Sequence, residues 1–144
     1  MQKLVLALLL VTTGLFSNTY AQITPDYVNV KDYGAVADGA VDDTKAIQEA
    51  LNDAVNKGGI CFLPAGKYRL DQTLIVPAGV TLKGSYDGIP HPLAPIGTVL
   101  NIYGGKGNAE AQPTVTLKNN ASIKNLLINY PEQRILLKVI PYPW

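Results

Sequence analysis

The sequence predicts a mostly β chain: a parallel β-helix, or solenoid, whose N-terminal end is capped by one α-helix. Three observations predict it. The first is order. From Val28 to Lys83 the chain reads short strand, acidic turn, one helix, then short strands punctuated by Pro and Gly. The first turn of a solenoid leaves apolar side chains and strand edges uncovered, so a plug ahead of it is physically required. The second is turn chemistry. No two-residue Asn-Gly or Asp-Gly hairpin turn separates the strands, whereas Pro-Ala-Gly recurs at Pro64–Gly66 and Pro77–Gly79. The third is an echo: Val-Thr-Leu-Lys occurs at Val80–Lys83 and again at Val115–Lys118. Stacked turns produce such imperfect echoes, each strand lying about 4.8 Å from its equivalent. The alternative for short strands between turns is a β-sandwich. The echo is irregular, and periodicity alone does not decide between the two.

The elements follow in order. Residues 1–21 read as a secretory signal peptide: Lys3 gives the positive start, Leu4–Val11 is unbroken apolar, and a small-residue site ends at Ala21 with Thr19 two positions before it. The apolar run is too short for a membrane span, and Thr12, Thr13 and Gly14 interrupt it. Residues 22–144 then form the cap and first turns of a β-helix domain. Val28 and Val30 alternate with Asn29 and Lys31, which suits a short half-buried strand. Asp32–Asp43 is a loop, and Asp42 or Asp43 caps the next helix by accepting its free N–H groups. The helix runs from Thr44 to about Asn56, with a stripe of Ala46, Ile47, Ala50, Leu51, Ala54 and Val55; Gly58 and Gly59 end it. Strands are expected at Ile60–Leu63, Tyr68–Leu70, Leu74–Val76, Val80–Leu82, Thr98–Ile102, Thr114–Leu117, Ser122–Ile123 and Leu126–Ile128.

Composition excludes several functions. Cys61 is the only cysteine, so the chain has no internal disulfide; it lies in an apolar strand and reads as a buried hydrophobe rather than a reactive thiol. Loss of Lys3 with the signal leaves eleven basic against eleven acidic residues, without a basic cluster. Nucleic acid and anionic membrane surfaces are therefore not expected partners. One Cys and one His make no metal-ligand cluster, and no cofactor is evident. The chain shows a start and no matching second cap, and closes on the apolar Val139-Ile140-Pro141-Tyr142-Pro143-Trp144. It is read as the N-terminal part of a longer protein.

The elements Val30–Ala35, Asp38-Gly39, Asp42-Asp43-Thr44, Ala46-Ile47-Gln48, Ala50, Gly58-Gly59, Phe62–Gly66 and Val80–Gly84 together resemble the pectate lyase superfamily. The resemblance is to the branch whose opening is shared by polygalacturonase-like and rhamnogalacturonase-like enzymes. It implies a right-handed, single-stranded parallel β-helix and a pectin-like polysaccharide substrate, bound along the outside of downstream turns. It fixes the fold better than the reaction.

Catalytic residues remain unknown at this point. Asp38, Asp42 and Asp43 suggest an acid/base cluster or a calcium site, but their spacing fits neither, and capping accounts for them. His91 stands alone in a Pro-rich loop without a nucleophile elbow. Gly104-Gly105-Lys106-Gly107 lacks the spacing of a phosphate loop. Tyr103, Tyr130, Tyr142 and Trp144 could stack on sugars or pack between turns. Asn119, Asn120, Asn125 and Asn129 read as turn residues slightly ahead of an amide ladder, and Asn120-Ala121-Ser122 is a glycosylation sequon where the host glycosylates.

The preferred reading is a secreted or periplasmic polysaccharide hydrolase using paired carboxylates beyond residue 144. The alternatives are a lyase or epimerase of the same fold, with calcium possible for a lyase, and a non-catalytic glycan-binding β-helix. After signal cleavage no membrane association is expected.

Overall fold

The structure is a computed structural model, described here for residues 27–86, 97–105 and 110–132. The expected signal peptide, His91, Lys106, Tyr142 and Trp144 lie outside these residues. The chain is mostly β, and its strands pair in parallel. The strands are β1 Val28–Asn29, β2 Asp38–Asp42, β3 Ile60–Phe62, β4 Gly66–Leu70, β5 Leu74–Val76, β6 Thr81–Lys83, β7 Thr98–Ile102, β8 Val115–Leu117, β9 Ser122–Lys124 and β10 Leu127–Asn129; the helix α1 spans Thr44–Ala54. They build three parallel sheets: β1-β3-β6-β9, β2-β4-β7-β10 and β5-β8. The chain visits the first, second and third sheets in turn and then begins again. In the first cycle α1 takes the place a third-sheet strand holds later.

Side chains alternate across each strand. Cys61, Leu82, Tyr68, Leu70, Leu100, Leu74 and Val76 point inward and are buried, and Ile47, Ala50, Leu51 and Ala54 of α1 join the same core. The helix packs against β1, β3, β5 and the short 3₁₀ turn at Val30–Tyr33. Cys61 is fully buried, and burial pushes its thiol up to about 12, which fits the inert reading.

Two expectations about the opening need correction. Val30 and Lys31 belong to the 3₁₀ turn rather than to a strand, because Asn29 accepts the Lys31 N–H at 3.0 Å and turns the chain after two extended residues. The presumed loop Asp32–Asp43 contains β2, whose pairing with β4 involves residues far apart in sequence and is invisible locally. The helix stops at Ala54, so Val55 stands exposed beyond the stripe; Gly59, at positive φ, returns its N–H to the Ala54 carbonyl at 2.9 Å.

The Val-Thr-Leu-Lys echo also needs correction. Val80–Lys83 carries β6 in the first sheet and Val115–Lys118 carries β8 in the third; the partners of β6 are β3 and β9. The two Pro-Ala-Gly turns likewise occupy different corners, one between β3 and β4, the other between β5 and β6. What is equivalent in space differs in sequence. Gly84 shows why the close pairing of strands constrains composition: a Cβ there would collide with the Asn125 carbonyl just after β9.

Candidate functional site

The three acidic residues ahead of the helix serve the chain's own backbone. Asp38 Oδ1 accepts the N–H groups of Ala40 at 2.8 Å and Val41 at 3.0 Å, and these bonds hold its pKa below the usual carboxylate value. Asp42 Oδ1 accepts the Thr44 N–H at 3.0 Å and the Thr44 hydroxyl, so Asp42 supplies the cap. Burial raises the Asp42 pKa, but the bonds from Thr44 and Asp71, with the Arg69 charge, outweigh it and bring the net value down. Asp43 occupies the N-cap position yet is buried, and its carboxylate accepts from Val36 at 2.6 Å and Ala37 at 3.1 Å instead of from the helix. Among the described residues no cluster of His, Cys, Asp and Glu is placed to hold a metal.

Gln48 has a use that its sequence gives no sign of. Its side-chain amide donates to the Ile75 carbonyl at 2.9 Å and accepts the Ile75 N–H at 2.8 Å. It thereby supplies both bonds that a neighbouring strand would give the free edge of β5. Beside the helix end, Tyr33 donates to Asp53, which also pairs with Lys57 at 2.7 Å. The bond to Asp53 raises the Tyr33 pKa, while Lys57 and then Tyr33 lower that of Asp53. An open cavity of about 390 Å³ lies here, lined by Tyr27, Val28, Asn29, Asp32, Tyr33 and Lys57.

The outer faces carry columns of side chains along the stack. On the second sheet Asp42, Arg69, Asn101 and Asn129 are in register. Asn129 Nδ2 donates to Asn101 Oδ1 at 2.9 Å, so one of the four late asparagines forms an amide bridge between the paired strands β10 and β7; Asn120 and Asn125 are turn residues at positive φ. Arg69 donates to Asp71 at 2.8 Å and lies 4.4 Å over the Tyr103 ring, which makes Tyr103 a packing partner of the second sheet. Tyr130 is exposed.

On the first sheet Asn29, Phe62, Lys83 and Lys124 are in register, and the Tyr27 and Phe62 rings form a T-shaped pair with centroids 5.2 Å apart. A second column beside it runs Ile60, Thr81 and Ser122, with the two hydroxyls bonded at 2.9 Å. Lys83 and Lys124 are both exposed, and among the described residues neither is in an ion pair. Sequence reading missed this pair because 41 residues separate strands that only register brings together.

Residues 27–130 match the family model "Rhamnogalacturonase A/epimerase, pectate lyase-like". The chain belongs to this family. It is 35% identical over 113 residues to mannuronan C5-epimerase AlgE1 of Azotobacter vinelandii, covering 67% of this chain and 8% of AlgE1. It is 32% identical over 82 residues to a glucan 1,3-beta-glucosidase of Cochliobolus carbonum, covering 50% of this chain and 10% of the relative. The solved A-module of the Azotobacter vinelandii mannuronan C-5 epimerase AlgE6 superposes with a TM-score of 0.58 and 28% identity, over 72% of this chain and 28% of that one. The chain thus spans a tenth or less of the two curated relatives' lengths. The family is carbohydrate-active, and relatives named for polysaccharides lie on both sides of the hydrolase–epimerase divide.

Proposed function

We propose that this chain is the cap and opening turns of a right-handed, single-stranded parallel β-helix, in an exported enzyme that modifies a uronate-containing polysaccharide by epimerase or lyase chemistry. The cyclic order of the three parallel sheets, with α1 in the place of the first third-sheet strand, supports the coil and the capping role. The observation that carries the chemistry is the match to mannuronan C5-epimerases in both sequence and structure. This moves the preference from hydrolysis to its alternative. In a uronate the carboxylate acidifies the neighbouring C5–H. An enzyme that neutralises the carboxylate with a cation or with Arg/Lys groups, and removes that proton with a base, can return it to the opposite face or eliminate the 4-O-linked sugar. No residue between Tyr27 and Glu132 is assigned to either step. Residues 1–21 act as the export signal, so the mature protein begins at Gln22.

The test is incubation of the full-length protein with polymannuronate and polygalacturonate, followed by NMR of the products. Inverted C5 centres or unsaturated ends are expected. Reducing ends without unsaturation would establish the hydrolase reading, which the glucosidase relative favours. N-terminal sequencing of exported protein should begin at Gln22; retention of the first 21 residues would refute export by cleavage.

A further inference from the structure

We propose that the outer face of the first sheet is a binding surface for an anionic polysaccharide, centred on Lys83 and Lys124 and flanked by Phe62 and Tyr27. The choice of a uronate polymer rests on the functional reading above; the placement of the surface rests on this chain alone.

Lys83 and Lys124 occupy the same outward position on strands paired in register, one strand spacing apart. Like charges so stacked repel and weaken the sheet. A stack maintained for stability would carry a carboxylate opposite one ammonium, as Lys57 has Asp53 and Arg69 has Asp71. Here both positions are exposed and both charges uncompensated among the described residues. The next position in the same column is Phe62, in T-shaped contact with Tyr27. The column therefore presents two cations and then an aromatic platform at successive turns of the stack. A polyuronate repeats a carboxylate and an apolar sugar face along its length, and this column answers both: ammonium for carboxylate, ring for sugar face. Thr81 and Ser122 in the adjacent column add hydroxyls beside the lysines. Anionic lipid shares the charge but offers nothing for the ring; single-stranded nucleic acid offers both a charge and a stacking base, and the comparison with DNA below separates it from a polyuronate.

The experiment measures binding of the full chain to polymannuronate and polygalacturonate, with a neutral glucan, single-stranded DNA and phosphatidylserine vesicles as comparisons. Polyuronate binding should weaken with added salt. The pair Lys83→Gln and Lys124→Gln should lower affinity about tenfold; the corresponding Arg pair should restore it, and Lys67→Gln on the second sheet should leave it unchanged. The melting temperature of the Gln pair should stay level or rise, because a repulsion is removed; a fall would assign the lysines to the fold instead. Equal affinity for DNA or vesicles, an unchanged Gln pair, or absence of polyuronate binding at low salt would each overturn the proposal. Binding is read without turnover, so an inactive protein that still binds through these lysines refutes the enzymatic reading and leaves this one standing.

Discussion

The two ends of the strand stack are made of similar residues and are buried very differently. At the helix end, Leu74 and Val76 of β5 are fully buried; their register partners in β8 are Val115, half-buried, and Leu117, 47% exposed. In the second sheet Leu100 is fully buried and its partner Ile128 is 41% exposed. Strand composition does not explain the contrast. Cover does: β5 lies between α1 and β8, and β7 between β4 and β10, whereas β8 and β10 have a described neighbour on one side only. A strand of three residues cannot bury its own inward side chains, so each strand depends on its neighbours.

Substitutions can break this contrast, and the largest effect is expected in the middle of the stack. Leu82→Ala and Leu100→Ala should each cost about 3 kcal/mol, whereas Leu117→Ala should cost less than about 1 kcal/mol, measured by urea unfolding. Equal losses at the two places would contradict an effect of cover. Next comes Asp43→Ala, which leaves the Val36 and Ala37 amides without their acceptor and should cost about 2 kcal/mol. Gln48→Ala should cost about 1 kcal/mol, less because water can reach the Ile75 groups.

The smallest effect is on pH dependence. Asp42 is held below its ordinary pKa, so its contribution is present above about pH 4 and is lost as pH falls through the folded value. The melting temperature should be level between neutral pH and about pH 5 and decline below about pH 4. Asp42→Asn should flatten part of that decline; an identical decline would remove Asp42 from the account.

How much of this was legible depends on how local each cause is. The helix stripe was readable because Ile47, Ala50, Leu51 and Ala54 recur at helical spacing and all four are buried. The carboxylates before it were harder to divide: in the sequence Asp42 or Asp43 can serve as the cap, and only the fold shows Asp43 turned toward Val36 and Ala37. β2 escaped notice because Asp38–Asp42 shows no alternation and its partner is β4. The echo at Val115 looked like a stacked repeat of Val80 because sequence likeness carries no register. For the same reason nothing in the sequence placed Lys124 over Lys83.

The central structural claim is that α1 completes the first turn by standing in for a strand beside β5. Hydrogen exchange at the Ile75 amide tests it most directly. Slow exchange in the native chain that becomes fast in Gln48→Ala, while the Leu82 amide between β3 and β9 keeps its protection, is the expected result. Fast exchange at Ile75 in the native chain, or protection unchanged by loss of Gln48, would contradict it.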